Sequence, residues 1–221
     1  MNIFSGFLFN KSKYYGHVLS LGFNCEVSYQ FFRHYHFVES GLFSWMGLEG
    51  VRSLINSLQH FDDIASQGFT HQGTMYQCNN SGILFHGRLT NKECEGLSEE
   101  EIVRKDTEEL QSRLTHLKEK FWKAATDGKK NLYIYKHSPL DAEDMDGFIK
   151  EINLLYETLK NLITNEFDLL IVIEKKFLPE CKENMFSSEH IFLRRLNVLH
   201  ASRMIANLGR KYIKNFVLIL N

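Results

Sequence analysis

The chain has 221 residues, of which 43% are hydrophobic, 24% are charged and two are proline. That is enough to bury well over half of the unfolded surface around one core, and it excludes a disordered or Pro-rich linker protein. Lys and Arg total 26 against 27 Asp and Glu, so no overall field draws in nucleic acid or an anionic membrane, and no nucleic-acid partner is expected.

The start, Met1 to Asn10, is apolar but lacks the basic opening, the long apolar run and the small-residue cleavage site of a signal peptide. No stretch reaches the roughly 18 to 20 uninterrupted apolar residues that a membrane span needs. His17-Val-Leu-Ser-Leu-Gly22 reads as a short buried strand, and Asn24 as the N-cap of a helix running from Cys25 through Val27, Phe31, Phe32 and Tyr35. A short helix is expected over Gly47 to Leu58, and a short strand over Gly82-Ile-Leu-Phe-His86. Ser98-Glu-Glu-Glu101 forms a capping box, with an apolar stripe of Val103, Leu110, Leu114, Leu117 and Phe121 ending at Asp127-Gly128. Leu132 to Tyr135 follows as a strand. Ser138-Pro139-Leu140-Asp141 then reads as cap, first-turn proline and third-position acid of a helix striped by Met145, Phe148, Ile152, Leu155, Leu159 and Leu162. Asp168 to Ile173 is a continuous apolar run of the kind that sits in a sheet covered on both faces. Ile191 to Leu193 reads as a strand, Asn197 to Tyr212 as a helix and Phe216 to Leu220 as a last strand. Strands alternating with long helices predict an α/β fold: one domain over residues 1–221, a three-layer sandwich with a mostly parallel sheet.

Cys25, Cys78, Cys94 and Cys181 lack the spacing of a secreted disulfide scaffold, so reduced thiols and a cytoplasmic location are expected. Cys25 is the candidate chemical centre because ligands bind at the carboxyl ends of parallel strands, where helices begin. A thiol in the first turn of a helix is expected to have a lowered pKa, and the free N–H groups of that turn suit an oxyanion. The alternative is a small apolar residue that is simply packed.

The run Leu19-Ser-Leu-Gly-Phe-Asn-Cys-Glu-Val-Ser-Tyr-Gln30, followed by Phe43-Ser44-Trp45 and Phe85-His86, resembles a bacterial family of unknown function classed as papain-like cysteine peptidases. The likeness extends through the Arg113 to Trp122 helix and the Leu132 to Lys136 strand. It implies Cys25 as nucleophile and His86 as its base. Asn24, Glu26, Ser44 and Trp45, which lie within the same motifs, are the candidates for substrate or oxyanion binding. It also brings a papain-like α+β fold as the alternative architecture. Ser44 stands where the family carries an Asp. His86, at a strand end before Gly87, suits a proton acceptor, with a backbone-bonded histidine as the alternative. Asn91, Glu93 and Asp141 are available as a third member.

Asn197-Val-Leu-His200 has the gap found before the histidine of SGNH-type esterases and acyltransferases, which makes His200 the rival base and surface-polysaccharide acyl transfer a rival function. Seven residues separate Cys25 from Arg33, where a tyrosine-phosphatase loop needs five, and Gly22-Phe-Asn-Cys offers no glycine-rich phosphate cradle. His34 and His36 point apart on a helix, so no metal is expected there, and no cofactor is implied. Arg194-Arg195 with Lys175-Lys176 could meet an anionic substrate. The expected function is a cysteine hydrolase or acyl transferase acting on a small-molecule, glycan or peptide substrate, against a non-catalytic sugar- or nucleotide-binding module. The sequence does not specify an oligomeric state.

Overall fold

A computed structural model describes residues 15–23, 25, 27–28, 41–73, 75–87, 91–174 and 176–196. The fold is α/β. Strands β1 (His17–Ser20), β6 (Asn131–Lys136), β7 (Phe167–Glu174) and β8 (Ile191–Leu196) form an all-parallel sheet in the order β1-β6-β7-β8. A second, antiparallel sheet of β2 (Met46–Gly47), β5 (Leu84–His86), β4 (Met75–Cys78) and β3 (Phe69–Gln72) stands beside it. The helices are α1 (Val51–Gln59), the single turn α2 (Asn91–Cys94), α3 (Glu99–Thr126) and α4 (Met145–Leu162).

The parallel strands are apolar on both faces because both faces are covered. Leu19, Tyr133, Tyr135, Leu169, Ile171, Ile173 and Leu193 point to one side, into a core shared with α1, α3, α4 and the antiparallel sheet. Val18, Leu132, Ile134, Leu170, Val172 and Phe192 point to the other, where Val27 packs on them. Within the larger core Phe148, Ile152, Leu155 and Leu159 of α4 are fully buried, each contributing about 1.5–3 kcal/mol of apolar burial.

Two local expectations hold in detail. The Ser98 hydroxyl accepts from Glu101 N–H while the Glu101 carboxylate accepts from Ser98 N–H, so the capping box opens α3. β7 is an interior strand, paired with β6 on one side and β8 on the other.

Three others are corrected. The helix expected from Gly47 starts at Val51, because Met46 and Gly47 pair with Phe85 and Leu84 in the antiparallel sheet. The Gly82 to His86 strand belongs to that same sheet rather than to the parallel one. The cap placed at Ser138 does not open a helix: Ser138 N–H reaches the Asp141 carboxylate at 2.8 Å, but the chain only turns there, and α4 is capped further along by Asp144 accepting from Gly147 N–H. Asp141 is instead committed elsewhere. Its carboxylate also accepts from Val51 N–H at 2.8 Å and from Tyr135 Oη at 2.8 and 2.9 Å. It thereby caps α1 from across the fold, a service that Gly50, with no side chain, cannot perform.

Polar side chains pin the amino edge of the parallel sheet. Asp168 of β7 is fully buried and accepts from Tyr15 Oη at 2.5 Å, pairs with Lys130 Nζ at 3.0 Å and meets His190 Nδ1 at 2.9 Å. Beside it His17 Nε2 lies 2.8 Å from Asp127, an interaction that holds the Asp127 carboxyl below the usual range. The helix and strand expected after Asn197 lie outside the described residues.

Candidate functional site

The carboxyl edge of the parallel sheet is where the sequence placed the chemistry, and its geometry follows from how β1 leaves the sheet. Leu21 N–H donates to Ile134 O at 2.9 Å and Lys136 N–H to Gly22 O at 3.4 Å, so β1 stays level with β6 for two residues beyond its formal end. Gly22 then adopts φ 83°, and a Cβ there would stand 2.5 Å from Met46 Cε and 3.2 Å from Leu48 Cδ1. The positive φ is what favours glycine here, while the crowding falls on the ends of two flexible side chains. The close approach brings the two sequence motifs together: Leu48 N–H donates to Phe23 O at 3.0 Å, joining the segment that carries Cys25 to the one that carries Ser44 and Trp45.

Cys25 occupies a turn immediately before the helical residues Val27 and Ser28. Its thiol is free and half-buried. Burial pushes the thiol pKa up, partly opposed by a backbone hydrogen bond, which reverses the lowering expected for a helix first turn. Desolvation of the thiolate outweighs the dipole here. Among the described residues no imidazole is hydrogen-bonded to the sulfur.

The other sequence candidates are dispersed. Ser44 is buried in a local turn, its hydroxyl accepting from Gly41 N–H at 2.9 Å, and Trp45 is half-buried next to it. His86 is exposed on β5, paired with Met75 and lying one residue beyond the last β2–β5 pair, on the Trp45 side. Asn24, Glu26 and His200 lie outside the described residues. Asp141 is a structural acceptor, as shown above. Asn91 and Glu93 stand on α2. Among the described residues no group of three His, Cys, Asp or Glu side chains is placed to hold a metal ion, and no helix is long and apolar enough to cross a membrane.

Arg195 has a different part from the one expected. Its guanidinium donates to the carbonyls of Phe177, Leu178 and Cys181 at 2.7, 2.5 and 2.7 Å, which clamps the β7–β8 loop over the carboxyl edge. Arg194 pairs with Glu183 at 2.7 Å. The arginine fork is occupied by backbone rather than presented to an anion.

Sequence reading missed His137. It follows β6 directly, its N–H donates to Val172 O at 2.9 Å, and its ring stacks on Phe177 with centroids 3.7 Å apart while Phe148 meets it edge-on at 6.1 Å. Burial, with Lys136 adjacent, pushes its pKa down to about 4, so the imidazole is uncharged at neutral pH. Neither ring nitrogen has a hydrogen-bond partner among the described residues. Of the described histidines, His17 and His190 lie at the amino edge, while His60, His71, His86 and His116 belong to the helices and the antiparallel sheet. His137 alone among them stands at the carboxyl edge, on the strand next to Cys25. The only signal for it in sequence is a histidine immediately after an apolar strand, which becomes informative once β1 and β6 are known to be neighbours. No family model, curated protein or solved structure matches the chain.

Proposed function

We propose that the protein is a cysteine-dependent hydrolase or acyl transferase with Cys25 as nucleophile. The observation that carries this reading is the position of the thiol: half-buried, at the turn between the end of β1 and the helical residues Val27 and Ser28, on the carboxyl edge of a parallel sheet. In the reaction the Cys25 sulfur attacks an acyl carbonyl, its proton passes to a base, and the C–S bond forms as the leaving group departs with a proton. The acyl thioester then passes to water or to an acceptor hydroxyl or amine. Because burial favours the neutral thiol, the base acts at the moment of attack rather than by holding a resting thiolate. His86 and His200 are the sequence candidates for that part.

A neutral thiol without a bonded imidazole favours a second reading, in which the same edge binds a sugar or nucleotide-sugar without covalent chemistry. Incubation with p-nitrophenyl acetate separates the two. The enzyme reading expects one acetyl group on the Cys25 peptide by mass spectrometry, outpacing the half-buried Cys94, and none in Cys25→Ala. If Cys25 alkylates with iodoacetamide like an ordinary cysteine yet takes up no acetyl group, the binding reading stands in its place.

A further inference from the structure

We infer that His137 supplies the hydrogen bond to the substrate's carbonyl oxygen at the carboxyl edge, as a donor rather than as the base. The inference rests on the reading of Cys25 as an acyl acceptor.

Position comes first. With Lys136 N–H on Gly22 O, His137 lies one residue past the last β1–β6 bond and Cys25 three residues past it. The two residues therefore leave the same carboxyl edge from neighbouring strands, His137 on the face where Phe148 and Phe177 pack and Cys25 at the turn that leads to Val27 on the other face. Rigidity comes second. The ring is stacked on Phe177 and met edge-on by Phe148, its backbone is tied to β7, and the loop carrying Phe177 is itself fastened by the three carbonyl bonds of Arg195. A donor held by packing needs no rearrangement when charge develops on the oxygen it faces.

The chemistry of the ring then decides its part. An imidazole with a pKa near 4 is a poor acceptor for the proton of a thiol pushed upward by burial. Its remaining N–H is a good donor, and an uncharged imidazole can polarise a carbonyl without carrying charge into an apolar setting. Its half-buried ring has no internal partner that a ligand would have to displace. The ligand class that fits is a thioester, ester or amide whose carbonyl oxygen points at His137 while its carbon faces Cys25. No proton is transferred by His137 in this step: it donates a hydrogen bond to the carbonyl and, more strongly, to the oxyanion formed when the sulfur adds.

Two reactions of the same thiol test this. Acylation by p-nitrophenyl acetate passes through an oxyanion, whereas alkylation by iodoacetamide does not. His137→Phe keeps the stacked ring and removes the donor, so acylation of Cys25 should slow roughly 100-fold while alkylation stays unchanged. His137→Gln, which restores an uncharged N–H donor, should recover part of the loss. If acylation and alkylation fall together in both variants, the role of His137 is structural and the inference is overturned. If His137→Phe acylates at the parent rate, the inference fails while the nucleophile reading survives. If the parent protein is alkylated but never acylated at Cys25, the nucleophile reading fails and takes the donor with it.

Discussion

Replacing Asp168 with alanine is expected to cost about 2–4 kcal/mol of stability, although the residue is far from Cys25. Its carboxylate is fully buried in the interior strand β7 and gathers Tyr15 from the approach to β1, Lys130 from the approach to β6 and His190 from the approach to β8. Deleting one member of a buried ion pair typically costs about 3–5 kcal/mol, because the remaining charge is stranded. Here the figure is reduced, since the Lys130 and His190 side chains are 22% and 44% exposed and can turn to water. Asp168→Asn keeps the shape and an acceptor for Tyr15, so about 1–2 kcal/mol is expected. In a chain of this length each kcal/mol lowers Tm by about 2–4 °C. Urea unfolding should show a lower midpoint at unchanged slope. A double-mutant cycle with Lys130→Met should return a coupling of about 1 kcal/mol or more. An Asp168→Ala protein within about 0.5 kcal/mol of the parent would refute the view that this carboxylate pins three segments of the sheet.

Three further outcomes follow from the geometry. The unfolded imidazole titrates near 6.5 and the folded His137 near 4, so the unfolded state takes up the proton first as pH falls, and stability attributable to this residue is complete above about pH 6.5 and lost towards pH 4. Thermal melts of the parent against His137→Phe across that window should show the parent losing ground on acidification. A constant difference would contradict the assignment. Asp141, whose folded carboxyl is raised by burial, contributes with the opposite sign, which is why the comparison is made between variants. Asp144→Ala should cost about 1 kcal/mol through the lost cap of α4, with Ser138→Ala costing less; the reverse order in urea melts would restore the cap to Ser138. Gly50→Ala should cost about 1–3 kcal/mol, because φ is 108° there and the added Cβ would lie 3.0 Å from Asp141 Oδ1 and 3.3 Å from Leu140 O. A melting temperature equal to the parent's would show that the α1 entry relaxes freely.

What could be read in advance was whatever depends on near neighbours in the chain. The Ser98–Glu101 box and the stripe from Leu110 to Phe121 are encoded within α3 itself, and the run Asp168 to Ile173 announces a strand covered on both sides. The antiparallel sheet was illegible because β2 is two residues long and exists only through its pairing with β5. Ser138 to Asp141 misled for a related reason: the local hydrogen bond of a cap is present, but the carboxylate is drawn to Val51 and Tyr135, ninety and six residues away in the chain. At the site, Cys25 could be singled out from a strand followed by a helix, whereas its neutral thiol depends on burial that no spacing reveals. His137 needed the β1–β6 register before it meant anything.

The shared carboxylate of Asp141 has a mechanical consequence. Because it grips both Val51 at the head of α1 and Ser138 next to His137, the two segments behave as one lever with Asp141 as its pivot. A molecule that seats beside His137 and shifts that turn is expected to tilt the first turn of α1 as well, so a spectroscopic label at the exposed Glu49, just before that turn, would register occupancy of the rim from outside it.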